Sequence, residues 1–397
     1  MRPLLISQFT AVSCLGTGLT QTRAALHAQR SGLALCRFDT VDIDTYVGEV
    51  PAVDDERLAP GLHDFDCRNN RLAQLALRQD DFVAAVQACI ARHGSRRVGV
   101  LLGTSTSGIL ETELAYRHRD PHRGALPASF RYAETHNSFA VVNFVRKFFG
   151  LQGPAVAVSC ACASSAKVFA AAQRMIQTGL IDAAVVGGID SLCLTTLYGF
   201  HSLQLTSTQP CRPFDVARDG ISIGEAAAFV LLERMPDSPS AGALALLGSG
   251  ESSDAHHMSA PHPDGLGAQL AMESALRSAQ LTAGDIDYVN LHGTGTPGND
   301  RSESKAVNAL FDAGTLCSST KGATGHTLGA AGALEAVISL LALQDGLAPA
   351  GLHVSQQDPA LHLHYLRQNR TQPLRRVLSN SFGFGGTNCS LIFGRLP

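Results

Sequence analysis

Strand-like apolar runs alternate with helical patterns along the whole of this 397-residue chain, which predicts an α/β fold with a largely buried sheet. Three observations carry that expectation. Residues 4–6, 98–102 and 183–186 are short valine-, isoleucine-, leucine- or alanine-rich runs of strand length. Two alanine-rich stretches, 166–178 and 328–343, are apolar on more than one face, the pattern of helices buried inside a larger protein. The run Pro236-Asp237-Ser238-Pro239-Ser240 breaks the composition, dividing the chain into an N-terminal half, residues 1–240, and a C-terminal half, residues 241–397.

The elements follow in order. Met1-Arg2-Pro3-Leu4-Leu5-Ile6-Ser7-Gln8 holds too short an apolar run for a signal peptide and reads as a first strand. Residues 71–92 place apolar side chains at helical spacing ahead of Gly94 and predict one helix. Residues 37–61 and 117–130 mix charged residues with prolines and read as surface excursions, the second near a partner subunit. In the second half, residues 286–291 predict a strand that delivers His292, and 302–311 and 328–343 predict helices. Each half thus sets a polar group at a strand end beside a buried helix. That suggests a duplicated unit, although no repeat shows at the level of residues.

Charge is nearly balanced, at a formal net of −3, which gives no reason to expect nucleic acid or a membrane surface as partner. Ten cysteines without CxxC pairs fit a reducing compartment. No run reads as the eighteen or so apolar residues of a membrane span. A cytoplasmic protein is expected.

The chemistry centres on residues 155–179. Residues 155–158 form an apolar strand, Ser159-Cys160-Ala161-Cys162-Ala163-Ser164-Ser165 a turn of small side chains, and 166–178 a helix ended by Gly179. A thiol at the head of such a helix feels its positive end, so Cys162 is expected as a reactive thiolate, its pKa brought from about 8.5 into the range of roughly 3.5–7.5. Two cysteines packed in a core would give the same local pattern.

Three later clusters break the tie. Leu291-His292-Gly293-Thr294-Gly295-Thr296-Pro297 sets a histidine at a strand end, followed by glycines and hydroxyls. Ser319-Thr320-Lys321-Gly322-Ala323-Thr324-Gly325-His326 sets a lysine and a second histidine before the apolar helix. Asn380-Ser381-Phe382-Gly383-Phe384-Gly385-Gly386-Thr387-Asn388 frees backbone amides to face a ligand, with phenylalanines to cover an apolar chain. One thiol, two histidines and an amide-rich loop suit nucleophilic acyl transfer. Asp254, His256, His257 and His262 offer a metal-like cluster, but intervening prolines and the lack of a second cluster argue against it, and no metal is expected.

These motifs, together with Arg212-Pro213-Phe214-Asp215, Arg218-Asp219-Gly220, Gly224-Glu225 and Asp254-Ala255-His256-His257-Met258, occur in the order and spacing of the β-ketoacyl-[acyl carrier protein] synthases, which the chain resembles over nearly its whole length. The resemblance implies a thiolase-like duplicated fold of five αβαβα layers, working as a homodimer or as a heterodimer with a chain-length-factor-like relative. It implies Cys162 as nucleophile, His292 and His326 as catalytic histidines, Lys321 tuning the second of them, and the amides of Cys162 and Phe384 as oxyanion hole. Thr294 and Thr296 are expected against the phosphopantetheine arm, Phe384 as a gate, Phe382 and Thr106 at the substrate, and Glu303 as an acid near the site. The partner implied is an acyl carrier protein, which brings the phosphopantetheine, so no cofactor of the enzyme's own is expected.

Some positions depart from the pattern of fatty-acid elongation enzymes. Thr104, Ser105, Thr106 and Ser107 carry hydroxyls where those enzymes have mostly glycine and one aliphatic residue, Ala226 replaces a glycine, and Ser259 a threonine. The hydroxyls are expected to line the acyl pocket and to disfavour a long saturated chain. With the runs 164–169 and 219–226, they resemble the synthases of bacterial aryl polyene pathways. Two rival readings are a non-catalytic chain-length-factor-like subunit, which would lack the nucleophile, and a thiolase acting on coenzyme A esters, which would need a second catalytic cysteine.

Overall fold

A computed structural model describes residues 2–397. Ten principal strands fall into two sets of five. The first half supplies β1 (Leu4–Ser13), β2 (Val98–Gly103), β3 (Ala155–Val158), β4 (Ala183–Asp190) and β5 (Ala226–Arg234). The second supplies β6 (Leu244–Ser253), β7 (Tyr288–Asn290), β8 (Leu316–Ser318), β9 (Arg376–Gly383) and β10 (Thr387–Arg395).

Strand order in the first set is β3-β2-β4-β5-β1 and in the second β8-β7-β9-β10-β6, the same order shifted by five. Directions match too. In each set the first three strands are parallel and the last two join antiparallel. The sets meet where Leu4 pairs with Leu246 and Leu5 with Ala245. The duplication that no residue repeat reveals is therefore plain in the topology.

Seven helices complete the layers: α1 (Arg68–Leu77), α2 (Phe82–His93), α3 (Ala140–Phe149), α4 (Ser164–Gln177), α5 (Leu266–Ala279), α6 (Pro297–Leu310) and α7 (Ala331–Asp345). Helices α4 and α7 pack on each other and on strands of both sets, so the largest apolar cluster lies between the sheets. Helices α1, α2 and α3 cover the outer face of the first sheet, and α5 and α6 that of the second. The layers run αβαβα.

Two expectations need correction. Residues 71–92 are not one helix: α1 and α2 are separated by Asp80 and Asp81, both left-handed at φ 54° and 56°. Asp80 is drawn out of helical register because its carboxylate accepts from the Leu19 amide at 3.1 and 3.0 Å and from Thr10 Oγ1 at 2.8 Å. Nor is the chain without an apolar stretch of membrane-span length: Leu328–Asp345 has 18 residues and a mean hydropathy of 1.4. It is the middle layer of the fold, 89% buried, and its apolar surface is satisfied by two sheets rather than by lipid.

Candidate active site

The nucleophile turn is set by one strained residue. After β3 the chain passes through Ala161 at φ 52°, a conformation tolerated here by a small side chain, and Cys162 follows it, two residues ahead of Ser164 at the head of α4. Ser164 Oγ accepts from the Cys160 amide at 2.9 Å and donates to the Ala161 carbonyl, which locks the turn. Cys162 faces His326, whose Nε2 stands 3.1 Å from Sγ. His326 is held in turn by its own amide, which donates to the Ser222 carbonyl at 2.7 Å.

His292 leaves the end of β7 with its ring 5.3 Å from that of His326, centroid to centroid, and near edge-on. Buried charges fix it from behind. Glu303 accepts from the His292 amide at 2.8 Å and the Gly293 amide at 2.7 Å, and Asn380 Nδ2 donates to the same carboxylate at 3.2 Å. Lys321 Nζ lies 3.3 Å from His292 Nδ1, donates to the His292 carbonyl, and pairs with Glu335. Lys321 thus contacts His292, not the second histidine as expected. Glu303 does not reach the substrate space either, because both of its oxygens are taken by backbone amides.

Burial governs the electrostatics. It pushes the Cys162 thiol up to about 12, with Asp190 adding to the rise, while Lys321 and the Phe384 and Cys162 amides pull the other way. The expected thiolate is therefore absent at rest: the helix end cannot repay the loss of hydration of a fully enclosed sulfur. Burial first, and then the charge of Lys321, hold both imidazoles well below their usual range, so they are neutral. Glu303 and Glu335 are each pushed up to about 7, again chiefly by burial.

A cavity of about 260 Å³ opens onto these groups. Cys162, His292, His326, Thr294, Thr296, Phe382 and Phe384 all line it, together with Phe200, Leu205 and Ile221. The Thr294 and Thr296 hydroxyls in its lining lie 2.9 Å apart, and the Phe382 ring packs 5.8 Å from that of His292. The Phe384 ring rests against Phe200 at 5.7 Å. Glycine is required in this loop: a Cβ on Gly383 would stand 3.1 Å from the Cys162 amide, and Gly385 and Gly386 adopt φ of 79° and 74°. That close approach brings the Phe384 amide to the sulfur.

Thr106 lies elsewhere. It sits with Thr104, Ser105 and Ser107 in a separate cleft of about 190 Å³ beside Tyr132 and His136. The Thr104 and Thr106 hydroxyls both donate to Asp190, at 2.7 and 3.0 Å, so these two hydroxyls are spent inside the protein.

Sequence reading misses Glu335, Asp190 and Asp300. Glu335 has a signal, being an acid within a mostly apolar helix. Asp300 accepts from the Phe214, Thr294 and Gly295 amides and so shapes the threonine loop. Among the described residues, two groups have metal-ligand spacing. One is Cys162, His292 and His326, with donor atoms within 4.8 Å of one another; the other is Cys89, His93 and Glu233. In the second, Arg92 already takes both Glu233 oxygens. The Asp254, His256, His257 and His262 cluster is neither of these, and its His262 amide is bound to Asp254 instead.

Residues 64–238 match the beta-ketoacyl synthase N-terminal domain and residues 244–355 its C-terminal domain. A 3-oxoacyl-[acyl-carrier-protein] synthase 2 of Vibrio cholerae is 32% identical over 100% of this chain and 99% of its own. The chain belongs to the β-ketoacyl synthase family. A mitochondrial synthase of Arabidopsis thaliana is 44% identical across 62% of this chain and 58% of its own. The ketosynthase ApeO of Xenorhabdus doucetiae, solved in complex with its chain length factor ApeC, superposes with a TM-score of 0.90 at 39% identity, over 99% of this chain and 98% of that one. This β-ketoacyl synthase is thus an acyltransferase of the elongating kind on a thiolase-like fold.

Proposed function

We propose that Cys162 carries the growing acyl group and that the two histidines drive decarboxylative condensation with a malonyl thioester of acyl carrier protein. The observation that supports this most is the 3.1 Å approach of His326 Nε2 to Cys162 Sγ inside an apolar cavity. As Sγ attacks the incoming thioester carbon, its proton passes to His326 Nε2, and the departing phosphopantetheine thiol takes a proton as the old C–S bond breaks. The oxyanion forms where the Cys162 and Phe384 amides converge, each such donor being worth roughly 3–4 kcal/mol.

Malonyl thioester then enters and loses carbon dioxide, and the electron pair left behind becomes an enolate. Lys321, an ammonium 3.3 Å from His292 Nδ1, makes that nitrogen the acceptor and leaves Nε2–H to donate to the enolate oxygen. The enolate carbon attacks the acyl thioester on Cys162, the S–C bond breaks with Sγ leaving as thiolate, β-ketoacyl carrier protein departs, and the sulfur takes up a proton from water to restore the resting thiol. In this reading Thr294 and Thr296 hold the phosphopantetheine arm and Phe384 gates entry. No cofactor of the enzyme's own takes part. A chain-length-factor-like role or thiolase chemistry accounts less well for this thiol, imidazole and lysine arrangement.

The acyl chain we infer is planar and conjugated with an aryl head. Its support is the likeness of the 164–169 and 219–226 runs to aryl polyene synthases, and a cavity walled by Phe200, Phe382 and Phe384, where a stiff chain loses little entropy on binding. The partner inferred is a chain-length-factor-like relative, since ApeO is solved with such a factor, and the exposed Tyr116, Tyr132 and Phe139 are apolar side chains it could cover. All ten cysteines are free, which suits a reducing cytoplasm. Competition between aryl-enoyl and saturated medium-chain carrier thioesters, scored by acylation of Cys162, tests the substrate: preference for the saturated chain ends the aryl reading and leaves the condensation untouched.

A further inference from the structure

Asp190, the last residue of β4, is fully buried, and five donors converge on its carboxylate. Oδ1 accepts from Thr104 Oγ1 at 2.7 Å, the Ser105 amide at 2.7 Å, the Thr106 amide at 2.9 Å and Thr106 Oγ1 at 3.0 Å. Oδ2 accepts from the Gly329 amide at 2.6 Å. Gly329 lies three residues beyond His326, and the space there is tight: a Cβ on it would stand 2.6 Å from Ser105 Oγ and 2.8 Å from Asp190 Oδ2. Ser105 Oγ also donates to the carbonyl of Ala161, the residue before Cys162, at 3.3 Å.

We propose that Asp190 is a positioning residue that binds the 104–107 turn, the nucleophile turn and the His326 turn into one unit. The proposal rests on the condensation reading above. Burial pushes the Asp190 carboxyl up, while the Thr106 and Ser105 amides and the Thr104 and Thr106 hydroxyls pull it the other way, and as a carboxylate it disfavours thiolate at the sulfur. The 104–107 turn lines the cleft beside Tyr132 and His136. Whatever fills that cleft therefore acts on the thiol and His326 through a single side chain.

Asp190→Asn tests this, because Oδ1 can keep its four donors while the new amide nitrogen faces the Gly329 N–H, donor against donor. The turnover number is expected to fall about tenfold to a hundredfold with little change in KM. Alkylation of Cys162 by iodoacetamide at about pH 8 is expected to rise, because a buried negative charge beside the thiol has gone. Thermal stability close to the wild type separates positioning from general loosening, which would also raise alkylation by exposing the enclosed thiol. Unchanged turnover, or turnover falling in step with thermal stability, overturns the proposal. Thr106→Val removes one hydroxyl donor at nearly constant volume and is expected to lower turnover by a smaller factor; should the asparagine variant not fold, wild-type turnover in Thr106→Val overturns the proposal by itself. Alkylation needs no condensation, so it still reads Asp190 if the condensation reading fails.

Discussion

His326 Nε2 stands 3.1 Å from Cys162 Sγ with both groups enclosed and uncharged, so the pair is a thiol beside a neutral imidazole rather than a thiolate beside an imidazolium. That relation fixes how the enzyme is activated. In the condensation proposed above, the thiol gives up its proton to His326 only when a thioester carbon is there to be attacked.

The first expected outcome is a pH profile. With the thiol at about 12, alkylation of free enzyme by iodoacetamide should rise about tenfold per pH unit from about pH 6 to 9 without levelling off. A plateau near neutrality would reveal a preformed ion pair.

Separating the two histidines gives the second. His292→Ala should slow carbon dioxide release by about two to three decades while leaving acyl loading of Cys162 nearly intact, because His292 serves the enolate alone. His326→Ala should slow both steps, since it also receives the thiol proton. Single-turnover loading and carbon dioxide release, measured separately, check this; equal effects of the two variants on loading would refute the division.

The third concerns the buried pair behind His292. Lys321→Met leaves Glu335 without its partner and should cost about 3–5 kcal/mol in urea unfolding. Lys321→Met combined with Glu335→Leu should recover much of that stability and none of the activity, because His292 Nδ1 has lost its donor. Recovery of turnover in the double variant would show that the lysine acts only through the fold.

A fourth uses Glu111, away from the site, whose carboxyl burial pushes up to about 7 from an ordinary value of 4.5. A raised folded-state pKa on an acid means stability present below pH 4.5 and lost as pH climbs through 7. Glu111→Gln escapes that loss. Its Tm should therefore gain on the wild type between about pH 5 and 8, by the equivalent of up to about 3 kcal/mol. A Tm difference that does not move with pH would contradict the assignment.

The motifs that announce themselves by residue type are legible in the sequence itself. Cys162, His292, His326, Thr294, Thr296, Phe382 and Phe384 stand out because each occupies a turn or a strand end among glycines or other small residues, and the fold brings all seven to one cavity. Lys321 stands out as well but is matched to the wrong histidine, since His326 is five residues away in sequence while His292, 29 residues away, meets it only in the fold. Thr106 is misplaced because spacing cannot show that Asp190, 84 residues away, claims its hydroxyl. The thiolate fails for a related reason: the favourable helix end is local and visible, whereas the enclosure that outweighs it is built by distant segments. The duplication hides for the opposite cause, because strand order and direction repeat while the residues that form them do not.

Mass mapping of the enzyme trapped with an acyl carrier thioester tests the central claim most directly. Digestion should place the acyl mass on Cys162 and leave Cys160 unmodified, and the Cys162→Ala variant should take up none while Cys160→Ala loads normally. Acyl group on Cys160, or full turnover with no adduct at Cys162, would contradict the account.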